Sequence, residues 1–149
     1  MLMHPVERIV RELGGIASTA EILRHGYDTT MIRLVSDYGR IRRLRQGWYG
    51  VPELSDDSAR AWKVGGPLAC VSAAVHYGLW TQDPGALHVR VPGHASRLRI
   101  DDPAGVVVHW SSGPLTGSRL AVSVDEALAT IRRCQPPEVF HAIRRAANR

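Results

Sequence analysis

Three short segments in the first half of the chain space their apolar residues at a helical period. Between His4 and Leu13 the apolar residues recur every three or four positions, and Gly14–Gly15 follows. This pattern predicts an amphipathic helix that ends at the glycines. Ser18 and Glu21 form a capping-box pattern, in which each side chain satisfies a backbone donor of the first helical turn. A second helix is therefore predicted over Thr19–Arg24.

A third helix is predicted from Thr29 to Tyr38, with Asp28 placed to cap its start and Gly39 to end it. Winding this segment at a helical period separates a polar face from an apolar face. The polar face carries Thr29, Thr30, Arg33, Ser36 and Asp37, and the apolar face carries Met31, Ile32, Leu34, Val35 and Tyr38. The apolar face is expected to be buried and the polar face to be exposed.

An arginine-rich β-hairpin is predicted directly after this helix. Its first strand is basic, its turn is Gln46–Gly47, and its second strand begins with the β-favouring Trp48–Tyr49. The arginines are Arg40, Arg42, Arg43 and Arg45. Three helices followed by a basic hairpin are typical of a winged helix-turn-helix that lies on duplex DNA.

Candidate DNA contacts follow from this arrangement. Arg33 can make two parallel hydrogen bonds to guanine, and Thr29 and Thr30 can contact a thymine methyl group or a phosphate. The arginines of the hairpin can neutralise phosphates or enter the minor groove. Ser18 and Thr19, at the start of the second helix, can offer N–H and hydroxyl donors to a phosphate.

Several alternatives stay open at this stage. Ile41 and Leu44 break the alternation of the hairpin strand, so the pattern does not say which arginines point outward. One of them can instead pair with Asp37 or Glu53. Ser18 can act as a helix cap only. Trp48 and Tyr49 fit a base-stacking platform, but two aromatic residues on a hairpin over a small core more often belong to the core.

The second half of the chain predicts a small α/β domain. A polar, acidic linker is expected at Pro52–Ala59, followed by a helix Ala73–Tyr77 that Ser72 caps and Gly78 ends. Strands are predicted at Leu87–Val91, Arg97–Ile100 and Val106–Trp110, with a turn at residues 101–105. A helix capped by Ser123 runs to Arg133, and a last helix starts at Pro136–Pro137. The predicted fold class is therefore α+β, with a winged helix-turn-helix at residues 1–53 and an α/β domain with a short sheet and C-terminal helices at residues 59–149.

Charge favours a polyanionic partner. The 149 residues carry a net charge of +5, with a pI near 9.9, and Lys63 is the only lysine among 19 basic residues. The sequence contains neither a membrane-length apolar run nor a signal-peptide pattern at its start, which predicts a cytoplasmic protein.

The sequence offers little support for catalysis or metal binding. None of the seven histidines forms an HxxxH or HxH pair, and Cys70 and Cys134 form no CxxC pair. We therefore expect buried, reduced thiols, with no metal and no cofactor. Ser111–Ser112–Gly113 is not a nucleophile elbow, Asp101–Asp102 lies in a turn, and Lys63 is distant in sequence from it. No enzymatic activity is expected.

Taken together, these residues resemble the AbiEi-type antitoxin family of type IV toxin–antitoxin and abortive-infection systems. The matching signature in the first half is Gly15–Ile16–Ala17–Ser18, Ile22–Leu23, Gly26, Gly39–Arg40–Ile41–Arg42–Arg43 and Gly47–Trp48–Tyr49. The match continues at Leu68, Ser72–Ala73–Ala74, Gly78–Leu79 and His88–Val89–Arg90–Val91–Pro92. The resemblance implies a winged helix that binds operator DNA, a following α/β domain, autorepression of an operon, and opposition to a nucleotidyltransferase toxin without a stable complex. Many similar chains continue into a nuclease-like domain, which this short form, ending at Arg149, is expected to lack.

The hypothesis that results is a sequence-specific, double-stranded DNA-binding transcriptional regulator. It would act as an antitoxin-like autorepressor or as a repressor of phage or mobile-element origin. The alternatives are a protein-interaction module or an antitoxin acting on a toxin partner, and a degenerate nuclease relative. The expected partner is operator DNA, and a toxin encoded nearby and a second copy of the chain are further candidates. No association with a membrane is expected.

Overall fold

The computed structural model describes residues 2–95, 98 and 100–149, and the chain divides into two compact units. The first unit ends at Lys63, and the second is Val64–Arg149. This division falls later in the chain than the predicted boundary between residues 53 and 59. Helices and short sheets occur together, as the predicted α+β class requires. No helix in the described residues is long and apolar enough to cross a membrane.

The first unit consists of short helices around a small antiparallel sheet. Its elements are α1 (Pro5–Glu12), β1 (Ile16–Ser18), α2 (Thr19–Arg24), α3 (Thr29–Asp37), β2 (Arg42–Arg45), β3 (Trp48–Gly50) and α4 (Asp56–Val64), whose last residue is the first of the second unit. The strands pair in the order β1-β3-β2. The core residues that pack together are Val6, Val10, Ala17, Ile22, Ile32, Val35, Ile41 and Val51.

The starts of α2 and α3 are where the capping patterns predict them. The Ser18 hydroxyl accepts a hydrogen bond from the Glu21 N–H at 3.1 Å, and the Glu21 carboxylate accepts one from the Ser18 N–H at 2.9 Å. Asp28 Oδ1 accepts a hydrogen bond from the Met31 N–H at 2.8 Å. Each contact satisfies an N–H group that has no partner within its helix. Both caps are confirmed.

The apolar face of α3 is narrower than predicted. Ile32 and Val35 are buried and Met31 packs against the core, but Leu34 is 47% exposed and Tyr38 is 76% exposed. Leu34 lies about a third of a turn from the stripe formed by the two buried residues, so it faces away from the core. Tyr38 is the C-terminal cap residue, beyond the last helical turn. The prediction that these two side chains are buried is wrong.

A β-bulge explains the broken alternation in the hairpin. Arg43 lies opposite Tyr49 and Arg45 lies opposite Trp48, so Leu44 is an extra residue on its strand. Because of the bulge, Leu44 points into the core, whereas the preceding residue Arg43 is exposed. Arg42 and Arg45 are half-buried. Of these three arginines, Arg43 is therefore the one that faces solvent most fully.

The predicted linker is wrong in its second half, because α4 begins at Asp56. Asp56 and Asp57 occupy the first turn of this helix, where negative charge interacts favourably with the helix dipole. Further along the helix, Trp62 packs against the Trp48 ring with centroids 4.5 Å apart. Trp48 is thus packed within its own unit, as the core interpretation expects.

The second unit combines a two-stranded parallel sheet with three helices. Its elements are α5 (Cys70–His76), β4 (Leu87–Pro92), β5 (Val106–Ser111), α6 (Val124–Cys134) and α7 (Pro137–Ala147), with a 3-10 turn at Pro103–Gly105. Leu68 forms bridges to Val89 and to Ala121, which extend the sheet beyond β4. Every residue of β4 except the last is buried, as is typical of parallel strands covered on both faces. For the predicted strand Arg97–Ile100, Arg97 and Arg99 lie outside the described residues.

The predicted role of Ser72 as a helix cap is wrong. The helix begins at Cys70, so Ser72 lies inside it, and its hydroxyl accepts a hydrogen bond from the His88 N–H at 2.9 Å. The partner comes from β4, and only tertiary packing brings that amide group close. Ser123, in contrast, caps α6 by accepting a hydrogen bond from the Glu126 N–H, as predicted.

Candidate functional site

A concave surface in the first unit lies between α3 and the β2–β3 hairpin and forms an open cavity of about 370 Å³. The residues that line it are Thr19, Thr29, Ile32, Arg33, Ser36, Asp37, Arg43 and Tyr49. We call this surface the α3 groove. Two arginines and several hydroxyl groups line it, and Asp37 is its acidic member. The groove therefore offers hydrogen-bond donors of the kind that phosphates and base edges accept.

The α3 groove brings together four of the nine predicted DNA-contacting residues. Thr19, Thr29, Arg33 and Arg43 all line it. Thr29, Arg33 and Arg43 are exposed, and Thr19 is half-buried. These residues come from three separate elements, so folding assembles a surface that the sequence indicated only piece by piece.

The other five predicted residues lie outside the groove lining. Thr30 is exposed on the first turn of α3, and Ser18, Arg40, Arg42 and Arg45 are half-buried. The Ser18 hydroxyl is engaged by the Glu21 N–H, which favours the capping interpretation. The Ser18 hydroxyl thus has a structural role, whereas Arg43 is the hairpin candidate that faces solvent most fully.

The N–H groups of Ser18 and Thr19 are not available to a phosphate. The Ser18 N–H donates to Glu21, and the Thr19 N–H donates to the carbonyl oxygen of Gly47 at 2.9 Å. The capping box uses the Ser18 N–H and the hairpin turn uses the Thr19 N–H, so neither group supports the predicted phosphate contact. The Thr19 side chain is what this segment contributes to the groove.

Glu53 pairs with an arginine of α1 rather than with the hairpin. Arg11 donates hydrogen bonds to both carboxylate oxygens of Glu53 and also to Glu7. These bonds lower the pKa of Glu53 and raise the pKa of Arg11. Glu53, one of the two acids that could have paired with a hairpin arginine, is therefore already neutralised by Arg11.

A second cluster of chemically capable side chains lies in the second unit, and no local pattern in the sequence indicates it. Cys70, His88, His109 and Cys134 each place one ligand atom within 4.8 Å of the others. Cys70 is buried, but Cys134 is exposed, so the expectation that both thiols are buried is wrong for Cys134. Each residue belongs to a different helix or strand, so no short sequence spacing connects them.

Burial keeps Cys70, His88 and His109 uncharged at neutral pH. Burial, with the neighbouring His109 as the second cause, lowers the pKa of His88 to about 4. Burial also lowers the pKa of His109, and the charge of Arg133 is the second cause there. Burial also raises the pKa of the Cys70 thiol to about 12, assisted by Cys134. His88 Nδ1 lies 2.9 Å from His109 Nε2, a hydrogen-bond distance between two neutral rings.

No protein-family model and no curated protein sequence matches the chain. Among solved structures, the chain is similar to the crystal structure of the RV2827C protein from Mycobacterium tuberculosis, with 20% sequence identity and a TM-score of 0.42. The match covers 85% of this chain and 58% of that protein, so the chain spans little more than half of its length.

Proposed function

We propose that this protein is a sequence-specific, double-stranded DNA-binding transcriptional regulator. The observation that carries the proposal is the α3 groove, in which Thr29, Arg33 and Arg43 are exposed side by side. Threonine and arginine at the start of a short helix, facing a basic hairpin, match the chemistry of a duplex groove and its phosphates.

The order of elements supports a winged helix-turn-helix in the first unit. A helix and a short strand precede two helices, and a two-stranded hairpin follows them, pairing with the first strand. In this arrangement α3 is the recognition helix and the β2–β3 hairpin is the wing. An α-helix with its side chains is about 10–12 Å across, which fits the roughly 12 Å width of the major groove.

The proposal divides the work between base reading and backbone contact. Arg33, one turn into α3, reads a guanine edge, and Thr29 and Thr30 contact a thymine methyl group or a phosphate. Arg43 at the bulge of the wing contacts the phosphate backbone, with Arg40, Arg42 and Arg45 on the same wing. No enzymatic activity belongs to this function.

The resemblance to AbiEi-type antitoxins suggests which gene is regulated. We propose that the operator lies upstream of the protein's own operon and that the protein represses it, as an antitoxin-like autorepressor or as a repressor of mobile-element origin. Footprinting of the purified protein on that upstream DNA tests this directly. Protection of a discrete site is expected, and uniform weak protection along the fragment would contradict sequence-specific binding.

Salt dependence tests the electrostatic part of the proposal. If four or five phosphates are neutralised, log K should fall against log salt concentration with a slope of roughly −4. Fluorescence anisotropy with the protected fragment and with a scrambled fragment measures both slopes. An affinity that does not change with salt would refute phosphate contact.

Two substitutions test the division between base reading and backbone contact. Arg33→Ala should cost ~1–3 kcal/mol on the operator and little on random DNA, whereas Arg43→Ala should weaken both alike and reduce the salt slope by about 1. Arg8→Ala, exposed on α1 and outside the groove lining, is the matched control with the same loss of charge. Equal effects of the Arg33 and Arg8 substitutions on the operator would refute the role given to Arg33.

One observation favours a protein partner as the second candidate function. Leu34 on α3 and Tyr38 at its C-terminal cap are both exposed, four residues apart, and both are large hydrophobic side chains. Affinity purification of the chain from its native host distinguishes the two functions. Stoichiometric co-purification of a partner that is lost in Tyr38→Ser, together with no shift of upstream DNA, would favour the interaction module over the regulator.

A further inference from the structure

The cluster in the second unit draws its four side chains from four elements. Cys70 begins α5, His88 lies on β4, His109 lies on β5, and Cys134 ends α6. The parallel register of the two strands places both imidazole rings on the same face of the sheet, where they stack with centroids 5.1 Å apart. The side chains converge because the fold packs two helices and two strands together.

Backbone contacts hold the histidine of β4 against the start of α5. The carbonyl oxygen of His88 accepts a hydrogen bond from the Ala69 N–H at 2.9 Å, and its N–H donates to the Ser72 hydroxyl at 2.9 Å. Cys70 lies between these two contacts in the sequence. Its position relative to His88 is therefore fixed from both sides, which preorganises the cluster before any ligand arrives.

We propose that Cys70, His88, His109 and Cys134 bind one Zn²⁺ ion in a tetrahedral Cys₂His₂ site. Zinc–sulfur bonds of about 2.3 Å and zinc–nitrogen bonds of about 2.0–2.1 Å place tetrahedral ligand atoms roughly 3.3–3.8 Å apart. The separations in the cluster, from 2.9 Å between two ring nitrogens to at most 4.8 Å, bracket that range. Small side-chain rotations bring all four atoms to bonding distance.

The donor set and its charge both favour zinc. Two sulfur and two imidazole nitrogen ligands suit Zn²⁺ rather than Ca²⁺ or Mg²⁺, which prefer oxygen. When the ion binds, the two thiols release their protons to solvent, and two thiolates with two neutral imidazoles give a complex with no net charge. A neutral complex is compatible with a site in which Cys70 and His88 are buried.

The site is structural rather than catalytic. Four protein ligands fill the tetrahedral positions and leave none open for water or substrate. Without a metal, Cys70 is a fully buried thiol, and such thiols are poor nucleophiles. Zinc would instead join α5, β4, β5 and α6 at one point and stabilise the second unit. This inference does not depend on the DNA-binding proposal, whose residues belong to the first unit.

Metal titration of the full chain tests the site. Protein purified under reducing conditions and stripped with a chelator is titrated with Zn²⁺ against a chromophoric competitor and, separately, with Co²⁺. We expect one ion per chain and a Co²⁺ spectrum with thiolate charge-transfer bands and the visible bands of tetrahedral coordination. Failure of folded, reduced protein to bind either ion stoichiometrically, or a Cys70–Cys134 disulfide in protein freshly isolated from the cytoplasm, would overturn the proposal.

Variants locate the ion. Loss of an outer hydrogen-bond partner alone typically costs about 10–100-fold in metal affinity, so removing a ligand in Cys134→Ser should cost at least that. Cys134 is exposed, so this variant is expected to fold. His141→Gln, an exposed histidine of α7 outside the cluster, is the control and should bind as the parent does. Unchanged Zn²⁺ affinity in Cys134→Ser, with native circular dichroism, would overturn the site.

Thiol protection gives a readout that needs no variant. In the metal-free protein the exposed Cys134 should react readily with an alkylating reagent, whereas the Zn²⁺-loaded protein should be alkylated at least about tenfold more slowly, because its thiolate is coordinated. Mass spectrometry identifies the alkylated residue. Equal alkylation of Cys134 with and without one bound Zn²⁺ would place the ion elsewhere and refute the assignment.

Discussion

Replacing Glu126 with alanine should destabilise the second unit, because it removes the charged partner of a buried arginine. The Arg90 side chain is 4% exposed, and its Nε lies 3.2 Å from Glu126 Oε2. Its Nη2 group donates to Ser111 Oγ and to the carbonyl oxygens of Gly113 and Pro114, at 2.7–3.1 Å. Glu126 supplies the negative charge in this set of contacts.

The expected loss follows from the burial of the two partners. Removing one member of a fully buried ion pair costs about 3–5 kcal/mol, because the other charge stays buried without compensation. Here the Glu126 side chain is 25% exposed, and Arg90 keeps its three oxygen acceptors, so part of that cost is relieved. The variant also loses the hydrogen bond that Thr116 donates to Glu126 at 2.7 Å, worth about 1 kcal/mol. We expect a loss of about 2–4 kcal/mol in the free energy of unfolding.

Thermal and urea denaturation measure this loss. For a domain of 60–100 residues, each kcal/mol shifts Tm by about 4–8 °C, so Tm should fall by at least about 8 °C. Asp125→Ala is the matched control, because Asp125 is exposed in the same turn of α6. The substitution removes the same charge as Glu126→Ala. Its loss should be a few tenths of a kcal/mol, from the helix dipole alone. Equal losses in the two variants would show that the ion pair contributes nothing.

Three further predictions concern close packing, capping and pH. Gly66→Ala should prevent stable folding of the second unit, because the new Cβ would lie 1.8 Å from a backbone carbonyl oxygen of β4; a native circular dichroism spectrum with unchanged Tm would contradict this. Asp28→Ala should cost about 1 kcal/mol in urea unfolding through loss of the α3 cap and should weaken operator binding, whereas Asp37→Ala, at the other end of α3, removes no cap. Arg11 lowers the pKa of Glu53, so the pair should stabilise the fold at neutral pH. The contribution should be less than about 1 kcal/mol, because both groups are partly exposed. It should disappear as the pH falls below about 4.3, where Glu53 becomes protonated. Glu53→Gln should remove that pH dependence, and an unaltered pH profile would refute the role of the pair.

The elements that the sequence predicted well are those whose signals are local. The capping residues Ser18 and Asp28 bond to amides three positions ahead, so the partner is contained in the sequence pattern itself. The strand Leu87–Val91 is similarly marked by flanking turn residues and extends one residue further in the structure. In each case a few neighbouring residues determine the conformation.

The wrong predictions concern residues whose contacts are determined by a partner that is distant in the sequence. Ser72 has the chemistry of a helix cap, but the His88 amide from β4 uses its hydroxyl instead. Leu44 breaks the strand alternation because pairing with β3 leaves it as the extra residue of a bulge. The Cys–His cluster is the extreme case, since its four residues become neighbours only when four separate elements have packed together. No spacing rule within one segment identifies such contacts.

The placement of charge limits what the overall net charge of +5 says about DNA binding. Arg90 is buried against Glu126, and Arg11 is paired with Glu7 and Glu53, so neither contributes a free positive charge at the surface. The α3 groove itself supplies two arginines, Arg33 and Arg43. With Arg33 reading a base, Arg43 is the phosphate-contacting arginine of the groove and alone would give a salt slope of only roughly −1, whereas a slope near −4 requires further arginines of the wing to reach the backbone. The measured slope therefore separates binding by the groove alone from binding in which the whole hairpin engages the duplex.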